Sequence, residues 1–217
     1  MLRQQALLDA AEKARRQKLA QQLAQEALVL FQQNKLEEAE AKFAKAVELD
    51  PSNNSFYYQY GVTLYKNDKF QKSIVVLQNA SGENVNENER DYFLALNFMK
   101  LKDYEKAHSN FTLIKSKKDK TLSAPAAFFA GVIDFQKEKY DDSKLNFEFV
   151  LDNSSDPKMD EQAENYIEQI ANIKAFLAEK AKKYIITLNF GLNYDSNILS
   201  VSNSQADSYP TDLAGFR

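Results

Sequence analysis

The sequence predicts an all-α protein: a solenoid of antiparallel helix pairs with a C-terminal capping helix, followed by one β-strand and a polar tail. Three observations lead there. Glycine and proline punctuate turns and stop helices, yet the 217 residues hold only five Gly and four Pro. That is about 4% of the chain against roughly 12% in average usage, too few for a sandwich or barrel of many short strands. Small and large residues also return at a fixed period along residues 20–152. Finally, charge is partitioned. After Lys183 the charged residues are Asp195, Asp207, Asp212 and Arg217 alone, and the sequence turns to Ser, Asn, Thr and aromatics, which favour strands and loops. The chain therefore divides into an N-terminal helical extension (1–19), four repeat units (20–152), a capping helix (153–183) and a strand with a loop (184–217).

The period is visible in three independent series. With each repeat counted from Ala20, Asn54, Asn88 and Ala124, position 8 holds Ala27, Gly61, Ala95 and Gly131. Position 17 holds Leu36, Phe70, Tyr104 and Tyr140, and position 20 holds Ala39, Ser73, Ala107 and Ser143. Position 24 is large and apolar throughout, as Phe43, Leu77, Phe111 and Phe147. A fixed period of this length marks stacked supersecondary units, each too small to bury its apolar face alone.

These residues resemble the tetratricopeptide repeat, a 34-residue helix–turn–helix unit. The resemblance implies that positions 8 and 20 lie where the two helices cross, with position 24 as a knob into the core. Pro51 matches the repeat's terminal proline, whereas Val85, Asp119 and Ser155 stand at the equivalent places. The first helix is expected from Leu2 to Gln33, longer than one repeat helix. Others follow at 36–49, 54–66, 70–80, 88–101, 104–116, 123–137 and 140–152. Asp156 before Pro157 reads as an N-cap with proline at the first helical position, opening a helix to about Lys182. Ile167, Ile170, Ile173, Leu177 and Ala181 share one face of it, and the polar remainder suits a solenoid cap.

The resemblance also implies a concave groove lined by positions 5, 9 and 12 of the first helices. Beside Ala24, these are Leu28, Phe31, Tyr58, Val62, Tyr65, Tyr92, Leu96, Met99, Phe128, Val132 and Phe135. A continuous apolar surface marks an interaction site, and Tyr suits interfaces through its large area and polar tip. The expected function is non-catalytic protein or peptide binding there. The alternative is a groove filled by the chain's own N-terminal extension or final helix. Family members that clamp a carboxylate use Lys and Asn at such positions, and here only Lys66 and Lys100 stand nearby, one residue along.

From Tyr184 the residues alternate. Ile186, Leu188, Phe190, Leu192 and Tyr194 are apolar, while Thr187, Asn189, Gly191 and Asn193 are small or polar. Period two predicts a strand, with the lipid-facing and lumen-facing alternation of an outer-membrane barrel strand. Tyr194-Asp195-Ser196-Asn197-Ile198 after a repeat array resembles the junction of bacterial outer-membrane repeat-plus-barrel proteins, such as surface lipoprotein assembly modifiers. That resemblance implies a periplasmic domain at the outer membrane of a Gram-negative bacterium, acting in export or surface assembly. The alternative is a soluble scaffold, cytoplasmic included, with a disordered tail.

Other classes are argued against. Zero Cys excludes a disulfide scaffold, a Cys-ligated zinc and a cysteine nucleophile. One His, His108, argues against a metal centre or a catalytic triad. The net charge of −3 leaves no nucleic-acid footprint. The lysines around Asp119 lack the interleaved aromatics of a single-strand binder. No cofactor or metal is expected. The N-terminus carries Arg3, Lys13, Arg15, Arg16 and Lys18 but no apolar run longer than residues 6–8, short of the ~7–15 of a secretory signal. A chain beginning after a removed signal would read the same.

Overall fold

The computed structural model describes residues 2–82 and 84–193, with side chains from Arg3 to Lys182. Among them are nine helices: α1 (Leu2–Gln32), α2 (Leu36–Leu49), α3 (Asn54–Lys66), α4 (Phe70–Gln78), α5 (Glu87–Lys100), α6 (Tyr104–Ser116), α7 (Ser123–Gln136), α8 (Tyr140–Asn153) and α9 (Pro157–Asn193). Helices pack as the pairs α1/α2, α3/α4, α5/α6 and α7/α8, and each pair packs on the next through α2/α3, α4/α5 and α6/α7. The chain divides into two compact units, residues 1–167 and 168–217. The first holds the four pairs and the opening turns of α9; the described part of the second is the rest of α9.

Each pair is joined by the same backbone turn. Asn34, Asp68, Lys102 and Glu138 occupy position 15 with φ between 57° and 61°. The amide that follows each one donates back into the last helical turn: Lys35 to Leu30, Lys69 to Leu64, Asp103 to Phe98 and Lys139 to Asp134, all at 2.9 Å. This is a Schellman ending, which satisfies carbonyls the helix would leave open. Asn and Asp tolerate the left-handed region, whereas Lys102 and Glu138 occupy it at about 1 kcal/mol each. Their place is set by where the two helices must meet.

That meeting occurs at positions 8 and 20. Ala27, Ala39, Ala95 and Ala107 are fully buried. In the second and fourth repeats the pair is Gly with Ser, and the Ser hydroxyl donates to the Gly carbonyl: Ser73 to Gly61 at 2.7 Å and Ser143 to Gly131 at 2.9 Å. A Cβ on Gly61 would lie 2.5 Å from Cγ and Cδ2 of Leu77; on Gly131 it would lie 3.1 Å from the Phe147 ring. The knobs Phe43, Leu77, Phe111 and Phe147 are completely buried. Phe43 packs with Ala20, Ala24, Ala27, Phe56 and Leu64, and Phe111 packs with Ala95, Ala107, Ala126 and Ile133.

Polar locks join successive pairs at position 21. The buried carboxylate of Glu40 on α2 accepts from Asn67 Nδ2 (2.8 Å), Lys69 Nζ (2.7 Å) and Lys72 Nζ (3.1 Å) of the next repeat. Burial opposes its ionisation, but the hydrogen bonds from Lys69, Asn67 and Lys72 outweigh it and hold the carboxyl below its usual range. Helices α3, α5 and α6 are capped by the side chains of Asn53, Asn86 and Asp103, and Asn86 accepts from the amides of Asn88 and Glu89. Asp156 accepts from Lys158 N at 3.0 Å with Pro157 opening α9, as the sequence predicts.

The expected strand is not there. Helix α9 runs on to Asn193, so residues 184–193 are helical, and Tyr194 with the polar loop lies outside the described residues. The reason is local. A helix already nucleated gains one internal hydrogen bond per added residue, whereas a lone strand leaves both of its edges unpaired. The capping helix therefore starts at Pro157 and extends past the expected end. Ala163 and Ile170 are buried, Ile167 and Ile173 half-buried, and Leu177 and Ala181 exposed. The buried stripe thus fades along the helix.

Two outcomes test this account. Gly61→Ala destabilises the protein by about 1–3 kcal/mol in urea unfolding, because Leu77 is locked in the core and cannot retreat. Gly131→Ala costs less, since the Phe147 ring need give by only a few tenths of an ångström. Glu40→Gln costs about 1–2 kcal/mol at neutral pH. The Glu40 carboxyl is lowered on folding, so its stabilisation is full above the ordinary Glu range and is lost as pH falls through the lowered value. The wild-type urea midpoint therefore drops more steeply than that of Glu40→Gln below about pH 4.5.

Candidate protein-binding face

Positions 5, 9 and 12 fall on α1, α3, α5 and α7, and α3 touches α5 directly. The described structure places Leu28 at 36% exposure. Phe31, Tyr58, Val62, Tyr65, Tyr92, Leu96, Met99, Phe128, Val132 and Phe135 are all half-buried, and Ala24 is buried. The row is therefore in register, but it is not a bare apolar surface.

What covers it is an aromatic series one residue along, at position 6. Phe93 of α5 lies between the α3 rings, 6.3 Å from Tyr58 and 5.6 Å from Tyr65. Phe129 of α7 lies 6.3 Å from Tyr92 and stacks on Phe111 at 5.3 Å. Tyr166 of α9 lies 6.1 Å from Phe128 and 5.2 Å from Phe135, and stacks on Phe147 at 4.6 Å with the rings 5° from parallel. Phe93 and Tyr166 thus each lie against positions 5 and 12 of the preceding first helix, and Phe129 lies against position 5. In the same register Ala163 and Ile170 of α9 are buried like Phe56 and Thr63 of α3 and Ala126 and Ile133 of α7, so α9 begins as the first helix of a fifth unit. The spacing of Phe93, Phe129 and Tyr166 carries this signal in the sequence, hidden beside the groove positions. The first two repeats have Gln25 and Gln59 there instead.

Position 9 is aliphatic throughout, with Leu28 exposed and Val62, Leu96 and Val132 half-buried. Tyr58 Oη donates to Glu89 Oε2 at 2.8 Å. Burial first, and Glu89 second, push its hydroxyl well above the usual range. Burial does the same to Tyr92, with Tyr65 adding to it, and to Tyr65, with Asp68 adding. All three stay protonated at physiological pH, and Tyr58 already donates its proton to Glu89. Lys66 and Lys100 are exposed in the last turns of α3 and α5, where positive charge suits the helix dipole.

A second polar assembly was not legible in the sequence. His108 Nε2 of α6 lies 3.0 Å from Oδ1 of the buried Asp134 on α7. Asn146 Nδ2 of α8 donates to Asp134 Oδ2 at 2.8 Å, and Lys115 Nζ donates to Asn146 Oδ1 at 2.7 Å. Asp134 stands at position 11, where the other repeats have Leu30, Leu64 and Phe98, and its partners are 12 and 26 residues away. A buried carboxylate must be paired, and this chain ties the last two helix pairs together. Among the described residues no three or more His, Cys, Asp or Glu side chains converge as a metal ion would require, and no helix is long and apolar enough to cross a membrane.

The fold is that of tetratricopeptide proteins, and residues 27–68 match the TPR repeat family. MamA (residue 41 to the end) from Desulfovibrio magneticus RS-1 is similar with a TM-score of 0.62 at 14% identity, over 82% of this chain and 97% of that one. A tetratricopeptide repeat protein from Parabacteroides merdae gives 0.62 at 17% identity, over 78% and 66%. YrrB, described as a TPR protein with an unusual peptide-binding site, gives 0.54 at 21% identity, over 74% and 90%. At these identities the likeness concerns the fold. No functionally characterised protein matches the chain in sequence at a significant level.

Tyr166→Ala removes the ring that fills the last repeat. It is expected to cost about 2–4 kcal/mol in urea unfolding, while leaving the far-ultraviolet helix signal at low temperature unchanged.

Proposed function

We propose that the chain is a non-catalytic scaffold that binds a peptide or protein segment along the first-helix face. One observation carries this reading: Leu28, Val62, Leu96 and Val132 recur in register on four consecutive first helices, and none of them is buried. An extended or helical segment lying across them would meet an aliphatic step from each repeat, flanked by tyrosine hydroxyls that remain protonated. The final repeat is already occupied by Tyr166, so the binding reach is expected to centre on the first three repeats. YrrB, which shares the fold, is described as having a peptide-binding site, and that supports the class of ligand.

Location is a second, separate reading. The charge-poor stretch after Lys183 supports a periplasmic scaffold whose gene continues into an outer-membrane barrel; a cytoplasmic scaffold is its alternative. The helical course of residues 184–193 removes the strand on which the barrel reading leaned most. Alternating strands encoded after residue 217 would restore it, and a stop codon there would end it.

Val62→Lys and Leu96→Lys test the face. Peptides selected on the wild-type protein from a random library are expected to lose at least about tenfold in affinity to either variant, with thermal unfolding little changed. Equal affinity would place the partner elsewhere. Phe128→Lys is not a clean test, because Phe128 packs on Phe129, Phe147 and Tyr166.

A further inference from the structure

Charge is distributed unevenly around the four helix pairs. The antiparallel stacking puts all four turns between first and second helices along one edge. Counted with the last residue of the first helix, each of these turns carries one net positive charge. Residues 32–35 hold Lys35 alone, while 66–69, 100–103 and 136–139 each hold two lysines against one Asp or Glu. The whole chain has a net charge of −3, so this edge runs against the overall balance. The loops along the other edge show no such regularity. Residues 50–53 carry one net negative charge and residues 117–122 carry two net positive ones.

Two of these lysines belong to the first-helix face. Lys66 and Lys100 occupy position 13, four residues after Val62 and Leu96, and side chains four apart on a helix are neighbours on one face. Both are exposed, and neither has an ion-pair or hydrogen-bond partner among the described residues. Their helices α3 and α5 are in direct contact, so the two cations flank one side of the position-9 row at about the 8–10 Å spacing of packed helices. The helix dipole favours cations at these ends. It favours them equally at the ends of α2, α4 and α8, whose last turns carry none. The acids nearby do not neutralise the pair. Asp103 is held by Lys106 at 2.7 Å. Glu89, at the opposite end of the same stripe, accepts from Tyr58 Oη at 2.8 Å and Asn86 Nδ2 at 3.1 Å.

The face therefore offers an aliphatic row with uncompensated positive charge along one side. We infer that its occupant is an acidic peptide segment, whose apolar side chains meet Val62 and Leu96 while Asp or Glu side chains reach Lys66 and Lys100. The inference rests on the binding face proposed above and adds the chemistry of what lies there. The carboxylates are those of side chains, so a free chain terminus is not required.

The test uses the full chain and peptides selected on it from a random library, synthesised with and without an amidated C-terminus. The selected pool is expected to be richer in Asp and Glu than the library and indifferent to amidation. Lys66→Gln combined with Lys100→Gln weakens binding about five- to tenfold, and Arg at both positions restores it. Raising salt from about 50 to about 500 mM weakens wild-type binding in the same sense. Lys66→Glu combined with Lys100→Glu reverses the preference, toward peptides in which Lys replaces Asp and Glu. All these substitutions fall on exposed side chains, and urea unfolding checks that each variant keeps its fold. Leu96→Gln separates this inference from the face itself, because it alters the row without altering charge. Binding lost in Leu96→Gln with a neutral or basic pool overturns the acidic partner and leaves the face standing. An acidic pool that binds the Lys66→Gln, Lys100→Gln variant at full affinity overturns the role of these lysines, and affinity lost on amidation overturns the assignment to side chains. Unchanged binding in Leu96→Gln and in the lysine variants overturns both readings.

Discussion

Everything in the array depends on how closely the two helices of a pair can cross. Positions 8 and 20 set that distance, and the chain meets it in two ways. Alanine faces alanine in the first and third repeats, and glycine faces serine in the second and fourth. The second solution is tighter, because a bare Gly carbonyl is open to the Ser hydroxyl and the bond replaces the missing methyl contact. Close crossing in turn brings the position-24 knobs fully out of water. It also fixes the left-handed residue of every turn, even where that residue is Lys or Glu.

The junctions between pairs are less uniform, and this has consequences for the binding face. At position 21, Glu40 locks the first pair to the second through two lysines and an asparagine. His108 does the corresponding work between the third and fourth through Asp134, while Ile74 stands at the same place in between. On the first-helix side the junctions are aromatic from α3 onward, with Phe93, Phe129 and Tyr166 as successive wedges. The rings that look like ligand contacts in the sequence thus serve first as packing between repeats. At the junction of the first two repeats Gln59 stands where the later ones have the wedge.

How much of this was legible in the sequence follows from the range of each constraint. Small residues at positions 8 and 20 reflect a steric rule repeated four times, so they reveal the fold, and most helix ends agree to within two residues. Phe93 and Phe129 were overlooked because they neighbour groove positions, and adjacency in a helix does not tell which side faces the next helix. Asp134 could not be paired with His108 from sequence, since the contact joins residues 26 apart in an arrangement made once. The alternation predicts a strand where residues 184–193 are helical, because period two reports a preference of side chains without reporting whether a second strand exists to pair with.

The same physics explains why the ends of the array carry its individuality. Internal repeats are held on both sides, so their residues answer mainly to packing. At the C-terminal end α9 contributes Tyr166 to the fourth pair and then has no second helix of its own unit among the described residues; its exposed side is polar over residues 161–169, with Phe176 and Leu177 exposed further along. At the N-terminal end α1 is extended by nearly five turns beyond what the first repeat uses, and its exposed residues are mostly charged or amide groups with single leucines among them. A helix that long, held by one neighbour, gains little from its own chain. Its exposed leucines stand singly among charged and amide side chains, and surface leucines so scattered need no further explanation.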